Sequence, residues 1–413
     1  MIKALYISSV PSFAEFERIA SLRRPGVQHV TYGMSESGFK FHTLIMDGLD
    51  GRDDCEVLSL VGRSVSRSMY RGGYWHASRE RRSESLEIRH VGFLNAPFVK
   101  QVQIAASIFG HTLRWLWKNR NEENRFVIMD ASYITVIPAV LLATAATGAR
   151  TAAIFADIYS YMGRAQDARE ESRLVHRILQ RVMPRVYGRL DLFVLLTEQM
   201  NALVNRTGKP HIVMEGLVDF GMTDRQNSLE EKSRQPTIMY AGALRKQYGL
   251  EMLLNGFLMV QDPNIRLEIY GGGDYSTAIE DAALGDRRIS YCGTIPNSEV
   301  VEREMRAWIL VNPRPANSEF AKYSFPSKNM EYMASGTPLL TTRLPGMPIE
   351  YLDYVSTIDG DDAAALAAAI ERELARDPRE LHEQGERAKA FVLARKSNVI
   401  QSARILEAME NCR

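Results

Sequence analysis

Short apolar runs alternate with longer segments of helical periodicity along most of the chain. Several runs end in small or polar residues, as buried strands of parallel sheets do where they deliver a loop. In the first half the runs predict strands at 3–9, 56–60, 126–129, 151–156, 191–196 and 211–214, with helices at 13–22 and 134–146. This alternation predicts the α/β fold class, with a parallel sheet covered on both faces.

The pattern is interrupted once and then restarts. Residues 219–236 lose apolar periodicity and are typical of a linker. After them, strands are predicted at 237–240, 266–270, 289–292, 308–312 and 338–342, and helices at 250–260, 302–306 and 363–375. We therefore predict a Rossmann-like domain over 1–218, a linker over 219–236, a second Rossmann-like domain over 237–395, and a final helix within 396–413. Two such domains facing across a cleft would place a ligand between their carboxyl-end faces.

Composition narrows the class of protein. The chain has 413 residues, which favours two domains, and its 45% hydrophobic and 24% charged content is that of a globular protein. A net charge of +1 offers no global field for nucleic acid. The three cysteines are isolated, the apolar start is too short for a signal peptide, and no apolar run reaches the roughly 20 residues of a membrane span. We expect a cytoplasmic protein, attached at most peripherally to the inner face of the plasma membrane.

Residues 63–82 combine positive charges with aromatic residues, and only Glu80 opposes the charges. One interpretation is a solvated, mobile loop; the other is a surface for anionic lipid headgroups or a polyanionic acceptor. The next segment, 99–118, is strongly apolar with helical spacing, and indicates either a core helix or an interfacial one. The basic and aromatic members are Arg63, Arg67, Tyr70, Arg71, Tyr74, Trp75, Arg79, Arg81 and Arg82.

The most informative stretch is 323–340, which predicts a loop, a helix and a buried strand. Pro326 and Ser327 favour a helix start with Ser327 as N-cap, and Gly336 favours its end. Lys328 lies in the first turn, where a lysine opposes the helix dipole, so that a ligand anion is the natural compensation. Glu331, one turn later, suits a pair of sugar hydroxyls. A sugar joined to a diphosphate fits this arrangement; an ordinary capped surface helix fits it too.

Other candidate motifs are less specific. Gly271, Gly272 and Gly273 follow a strand, but Ser276 replaces the last glycine of a dinucleotide fingerprint, so a tight turn close to a nucleotide is favoured. The sequence from Asp359 to Asp361 has the DxD pattern of metal-dependent sugar transferases, yet N-capping of the next helix explains it. The eight histidines are scattered, and no metal site is predicted.

Two further candidates follow strands. Arg245 and Lys246 are either a solvated basic pair or partners of Lys328 around a diphosphate. Asp157 is a single carboxylate after a strand, which either caps a turn or takes the proton from an acceptor hydroxyl.

Together these segments resemble the donor domain of GT-B glycosyltransferases, specifically glycosyltransferase family 4. The resemblance covers roughly 236–395 and is architectural before that. It rests on the sequence around Tyr240 to Leu250, Ile269 to Asp274, Tyr291 to Val300 and Tyr323 to Leu340.

The resemblance implies a nucleotide-sugar donor bound mainly to the second domain and transfer with retention of configuration. The family pattern has two glutamates separated by seven residues; Glu331 matches the second, which binds ribose, while Tyr323 occupies the first position and Glu319 lies four residues earlier. This departure resembles a subgroup with a Pro-Ser-Lys motif, in which the lysine takes over part of the phosphate contact. The resemblance also matches Asp157 to a histidine of the first domain, and implies that the last helix returns to that domain.

We therefore predict a metal-independent retaining glycosyltransferase that needs no cofactor besides its donor substrate, and whose acceptor is a glycan or a lipid-linked growing polysaccharide. A 2-epimerase-like nucleotide-sugar isomerase and a non-catalytic nucleotide-sugar binder are the alternatives. The predicted catalytic residues are Asp157, Lys328 and Arg245; the acceptor-binding residues are Ser9, Val10 and Tyr159; the donor-binding residues are Gly242, Lys246, Gly271, Gly272, Thr294, Ile295, Tyr323, Ser327, Asn329 and Glu331.

Overall fold

The computed structural model describes residues 1–12, 14–15, 18, 36–65, 70–145, 147–156, 181–317 and 319–412. The chain divides into two compact units. The first comprises Met1–Met214 and Asn398–Arg413, and the second comprises Glu215–Ser397. Each unit is a doubly wound α/β structure with its own sheet.

The first unit contains an eight-stranded sheet. Its strands are β1 (Ile2–Ser8), β2 (Cys55–Val61), β4 (Ser78–Arg81), β5 (Leu86–His90), β7 (Arg125–Asp130), β8 (Arg150–Phe155), β9 (Leu192–Leu195) and β10 (His211–Val213); β3 (Tyr74–Trp75) pairs separately with β6 (Phe93–Leu94). The sheet order is β10-β9-β8-β7-β1-β2-β5-β4, parallel except for the β4–β5 pair. Because helices cover both faces of such a sheet, β1 is buried along almost its whole length.

Described helices of the first unit are α1 (Glu36–Asp50), α2 (Val99–Lys118), α3 (Ile137–Thr144), the short α4 (Asn201–Val204) and α11 (Asn398–Asn411). The last helix, α11, packs against α1. Gly48 permits this approach, because a Cβ there would lie 2.2 Å from the carbonyl oxygen of Asn398. In the part of the chain that is described, no helix has both the length and the hydropathy needed to cross a membrane.

The basic segment 63–82 differs from both interpretations of the sequence. Six of its residues form β3 and β4, and β4 extends the main sheet as its antiparallel edge strand. Trp75 is buried, stacked on Phe93. Arg79 pairs with Glu87, and Arg82 pairs with Asp47 at 2.8 Å. A mobile loop is therefore wrong for the strand residues 74–75 and 78–81, and two of the arginines that suggested a lipid surface, Arg79 and Arg82, are paired with acids outside the segment. Arg67 lies outside the described residues.

The second unit contains a six-stranded parallel sheet ordered β13-β12-β11-β14-β15-β16. Its strands are β11 (Thr237–Ala241), β12 (Arg266–Tyr270), β13 (Ile289–Gly293), β14 (Ile309–Asn312), β15 (Leu339–Thr342) and β16 (Ser356–Ile358); its helices are α5 (Leu250–Met259), α6 (Ser276–Gly285), α7 (Asn297–Arg306), α8 (Ser327–Ser335), α9 (Ala363–Leu374) and α10 (Pro378–Lys396). Numbered along the chain, the order is 3-2-1-4-5-6. This is the doubly wound order, in which successive strands are added first on one side of the first strand and then, from the switch point, on the other.

The two sheets share this order, since β5-β2-β1-β7-β8-β9 in the first unit is also 3-2-1-4-5-6 when its parallel strands are counted along the chain. The predicted α/β class is confirmed. Helices α1, α6 and α10 were not predicted, because their hydrophobic positions are mixed with many charged ones. The switch points lie between β1 and β7 and between β11 and β14.

Residues 219–236, predicted as a linker, lie within the second unit. They form short 3-10 helices at Phe220–Asp224 and Leu229–Glu231 and bond to the unit through side chains that include Asn227 and Lys232. Asn227 donates to the carbonyl of Ser335 at 2.9 Å, and Lys232 donates to the carbonyls of Met305 and Ala307. The polar side chains of the segment serve to bond it to the second unit. In the sequence alone, the same polar residues look like those of a linker.

Candidate functional site

The carboxyl ends of the strands in the second unit bring several predicted residues together. Gly242 follows β11, Gly271 follows β12, Thr294 follows β13, and the loop after β14 leads into α8. Because parallel strands end at one edge of the sheet, these loops are neighbours around the switch point, where open α/β sheets bind their ligands.

Lys328 and Gly242 lie against each other at this edge. Gly242 has a φ of +149°, and a Cβ there would lie 1.6 Å from Nζ of Lys328. Lys328 is the second residue of α8, so its ammonium stands beside the start of a helix and the backbone of the β11 loop. The structure thus places Lys328 beside Gly242, and the roles of both residues in donor binding stay predictions.

Two tyrosine rings face the Lys328 ammonium. Nζ lies 5.5 Å from the ring centre of Tyr240 and 6.0 Å from that of Tyr332, within cation–π range. The Tyr332 hydroxyl accepts from the backbone N–H of Ala241 at 2.8 Å and donates to the Ala241 carbonyl at 3.1 Å. Burial raises the pKa of both phenols, so both rings stay neutral. The arrangement locates the charge of Lys328 at the end of β11.

The glycine run after β12 has a packing explanation. Gly271 has a φ of +127°, and a Cβ there would lie 1.8 Å from the carbonyl oxygen of Gly242. A Cβ on Gly273 would lie 2.1 Å from the carbonyl oxygen of Leu244. The two loops also bond, since the N–H of Gly242 donates to Tyr270 and the N–H of Leu244 donates to Gly272. Glycines 271 and 273 therefore let one loop lie directly on the other, while Gly272 faces Thr294.

The start of α8 differs in one detail from the prediction. Pro326, not Ser327, is the N-cap, and Ser327 is the first helical residue. No side chain caps the helix. The predicted N-cap is thus wrong by one residue. Pro326 has the extended φ and ψ typical of an N-cap, and Ser327 already has helical ones. A helix start without a side-chain cap leaves its N–H dipoles available to an anion.

Asn329 lies on the inner side of α8. Its side chain is fully buried, and its Oδ1 accepts from Nδ2 of Asn312 at 2.6 Å. Direct contact of this side chain with a donor, as predicted, does not fit that position. The buried amide pair instead joins the end of β14 to the first turn of α8, and so positions Lys328 beside it.

The remaining predicted donor residues are spread along the edge. Arg245 is exposed, and Lys246 is exposed and paired with Glu251 at 3.0 Å, a hydrogen bond that raises the lysine pKa. Thr294 is exposed and Ile295 partly buried against the core. Tyr323 and Glu331 are partly buried, and Glu331 is on the same face of α8 as Lys328, three residues later.

Acids at the ends of β16 do not form a metal cluster. Asp362 caps α9 by accepting from the N–H of Ala365 at 2.8 Å. Asp361 accepts from the N–H of Ala316 at 3.1 Å, and Asp359 lies 3.6 Å from Arg372. Within the described ranges, no group of three or more His, Cys, Asp or Glu residues is placed to hold a metal ion. N-capping was predicted here, although the capping residue is Asp362 and not a member of the DxD pattern.

Buried polar side chains fill the switch point of the first unit. The Tyr6 hydroxyl and Nδ1 of His42 are 2.5 Å apart, and Nε2 of His42 lies 3.7 Å from the Asp130 carboxylate. Asp130 also accepts from the N–H and hydroxyl of Ser132, both at 2.8 Å. Burial lowers the pKa of His42 despite the nearby Asp130. The three residues come from β1, α1 and β7, so no local spacing could have shown this network.

The predicted acceptor residues lie beside this network or outside the described residues. Ser9 is partly buried, and Val10 is buried with its N–H donating to Oγ of Ser8 at 3.2 Å. The Val10 side chain therefore belongs to the core, and an acceptor contact through it does not fit. Asp157 and Tyr159 lie outside the described residues.

The second-unit residues match a known family. The model of the family described as "Glycosyl transferases group 1" matches residues 235–376, which include Gly242, Gly271, Thr294, Lys328 and Glu331. Over residues 235–376 the chain is similar to this glycosyltransferase family. A comparison with curated protein sequences gave no match.

Several solved structures are similar to this chain over its whole length. A sucrose-phosphate synthase from Thermosynechococcus elongatus is similar at a TM-score of 0.64 with 15% identity, covering 100% of both chains. HepE from Anabaena in complex with UDP has a TM-score of 0.64 with 12% identity, again covering 100% of both. A glycosyltransferase from Rickettsia africae has a TM-score of 0.61 with 14% identity over 100% of this chain and 98% of that one. The predicted GT-B fold is thereby confirmed.

Proposed function

We propose that the chain is a retaining glycosyltransferase that moves a sugar from a nucleoside-diphosphate donor to a hydroxyl of a glycan or lipid-linked acceptor, in the synthesis of a surface polysaccharide. The observation that carries the proposal is the Lys328 ammonium lying against Gly242 at the uncapped start of α8. It lies within the region that matches glycosyl transferases group 1. A structure with the same fold was solved with UDP and another with UDP-glucose, and we propose a donor of this class.

The charge at this edge suits the leaving group. When the bond between the sugar C1 and the diphosphate oxygen breaks, the electron pair stays on the diphosphate, and negative charge grows there. A lysine and a helix start stabilise such a charge, and they need no metal to do so. Glu331, on the same helix face, would accept hydrogen bonds from the ribose hydroxyls.

The acceptor oxygen then forms the new bond to C1 and loses its proton. For retention, the departing diphosphate oxygen takes that proton on the same face of the sugar, with Asp157 positioning the acceptor or acting as the base. Arg245 would approach the diphosphate from the β11 loop, and Lys246 would do so only after leaving Glu251. These roles follow the family resemblance and the position of each residue along the chain.

A ligand screen with matched variants tests the donor site. Thermal unfolding of the full chain is measured with UDP-, GDP- and dTDP-sugars, since a ligand at ~100 times its dissociation constant adds ~2.7 kcal/mol. We expect one nucleotide class to raise the unfolding temperature, and Lys328→Ala to abolish the shift. Arg306→Ala is the control, because Arg306 is the last residue of α7, shortly before the amino end of β14, so that the variant removes one positive charge at the opposite edge of the sheet. An equal shift in both variants would contradict the role of Lys328.

Turnover separates the candidate functions. Transfer to a glycan or lipid-linked acceptor that continues in the presence of EDTA is expected for a metal-independent transferase. Binding without turnover across a broad acceptor panel would favour the non-catalytic binder, for which Tyr323 in place of the family glutamate is the supporting observation. Consumption of the donor with no acceptor present would favour the isomerase.

A further inference from the structure

Helix α2 carries an unusual outer face. Its inner face is buried through residues such as Ile104, Ile108 and Trp115, as a helix packed on a sheet requires. The opposite face of a surface helix is normally polar or charged. Here that face is apolar, and its exposed members are Val102, Ala106, Gly110, Leu113 and Trp117.

These positions form one continuous row. At about 100° per residue they fall within an arc of roughly 80° on the helix. Val102 is 70% exposed and Trp117 69% exposed, so the row is open to solvent at both ends. A Cβ built on Gly110, in the middle, would meet nothing within 4 Å. In the described structure, therefore, nothing packs over the centre of the row.

Phe98 extends the row at its amino end. It is the N-cap of α2, has a φ of +63° and is 88% exposed. A left-handed conformation is unfavourable for a bulky side chain, and an exposed phenyl ring gains no burial in return. Leu94, also exposed, adjoins it, since its N–H donates to Oε1 of Gln103 at 2.7 Å. We call Leu94, Phe98, Val102, Leu113 and Trp117 the α2 outer face.

The charges beside this face have one sign. Helix α2 contains no Asp or Glu, and it carries Lys100, Arg114 and Lys118. Arg120 follows it and lies 4.8 Å from the ring centre of Trp117. Arg114 and Lys118 are exposed and lie along one side of the row. Glu122 and Glu123 come only in the turn after Arg120. A straight apolar row with aromatic residues at both ends and a basic flank fits a flat interface with anionic headgroups.

We propose that the α2 outer face docks the protein on the surface of a membrane that contains anionic lipid. The face lies in the interfacial plane, with Phe98 and Trp117 entering the headgroup boundary and Arg114, Lys118 and Arg120 contacting phosphate. This assigns the membrane contact to α2 and not to 63–82, whose tryptophan is buried and in which Arg79 and Arg82 are paired with acids. The proposal does not depend on glycosyl transfer.

Vesicle sedimentation of the full chain tests it. One set of vesicles is phosphatidylcholine alone, and the other has equal amounts of phosphatidylcholine and phosphatidylglycerol. We expect binding to the mixed vesicles that falls as salt rises. The triple variant Val102→Ser, Leu113→Ser, Trp117→Ser should lower the partition coefficient by about tenfold or more, because exposed apolar area no longer enters the interface.

A second triple variant separates the electrostatic part. Arg114→Ala, Lys118→Ala, Arg120→Ala should remove most of the preference for phosphatidylglycerol, by about tenfold or more, together with the salt dependence. The control Leu284→Ser, Arg287→Ala removes an exposed leucine and an exposed arginine from the second unit, and should bind as the parent does. Hydrogen exchange of 98–117 in the unaltered chain, with and without mixed vesicles, gives a readout that needs no variant.

Three results would overturn the proposal. They are a parent chain that does not bind mixed vesicles, an apolar triple variant that binds as tightly as the parent, and unchanged hydrogen exchange over 98–117. Light scattering tests whether a second copy of the chain occupies the face. A dimeric parent that becomes monomeric in the apolar variant would show that a second copy, and not lipid, packs on it. Donor-induced thermal shifts should be equal in all these variants, so that failure here is distinguishable from failure of the glycosyltransferase proposal.

Discussion

The two sheets of the molecule share one strand order, and their switch points are chemically different. In the first unit, the edge between β1 and β7 is filled by buried Tyr6, His42 and Asp130; the Tyr6 hydroxyl bonds His42, and Asp130 lies 3.7 Å from the His42 ring. In the second unit, the edge between β11 and β14 is built from glycine backbone and a lysine held over tyrosine rings. The same topology therefore positions a buried polar network in one unit and an accessible cation in the other.

The difference shows what a binding edge requires beyond topology. Strand order brings loops together, but it does not decide whether their polar groups satisfy one another or stay available. In the second unit, glycines at 242 and 271 remove side chains that would fill the edge. In the first unit, a large buried tyrosine and a histidine fill it. Three experiments bear on this contrast, and we give them from the largest expected effect to the smallest.

The largest effect is expected for Gly271→Ala. A methyl group there meets the Gly242 carbonyl at 1.8 Å, and the φ of +127° is strained for any residue with a Cβ. We expect the second unit to lose about 2–4 kcal/mol of stability and the donor-induced thermal shift to disappear. Hydrogen exchange resolves the unit in which the loss occurs. Gly285→Ala is the control, because nothing lies within 4 Å of a Cβ there. Equal stability and equal donor-induced thermal shifts in the two variants would contradict the role given to Gly271.

An intermediate effect is expected for Tyr6→Phe. Removing the hydroxyl leaves Nδ1 of His42 buried without its partner, which costs about 1–3 kcal/mol. The loss should appear as faster hydrogen exchange in β1, α1 and β7, while the donor-induced shift of the second unit stays as in the parent. Tyr74→Phe, at a 44% exposed position, should leave stability unchanged. A reduced donor affinity in Tyr6→Phe would show that the first edge contributes to donor binding.

The smallest effect concerns pH. Burial lowers the pKa of His42, so the folded first unit keeps this imidazole neutral where the unfolded chain, with a pKa near 6.5, takes up a proton. Stability from this group is present above about pH 6.5 and is lost as the pH falls towards the lower folded-state pKa. Relative to His42→Gln, the parent should lose about 1 kcal/mol between about pH 7 and about pH 5.

The measurement for this pH effect is urea unfolding followed by tryptophan fluorescence. Both proteins carry Trp308→Phe, because Trp308 is in the second unit and the other tryptophans are in the first. A parallel pH dependence of the parent and of His42→Gln would mean that His42 titrates alike in the folded and unfolded chain.

Much of the second unit was predictable from local signals. The strand at Arg266–Tyr270 was predicted with its observed bounds, as was α2 at Val99–Lys118 in the first unit. Helix α8 was predicted from Pro326 and Ser327 at its start and from Gly336 at its end, each of which acts within about one turn of the helix. Tyr332 was missed at the same helix, although its position four residues after Lys328 places both side chains on one face.

The sequence alone determined the α/β class, most strand positions of both sheets, and the lysine-bearing helix start, because apolar periodicity, proline and glycine act over a few residues. Only the tertiary structure decided that Arg79 and Arg82 pair with acids outside 63–82, that Tyr6, His42 and Asp130 meet, and that Lys328 stands against Gly242. Each of these contacts joins residues distant along the chain, and the packing of the sheet, not local spacing, sets which of them become neighbours.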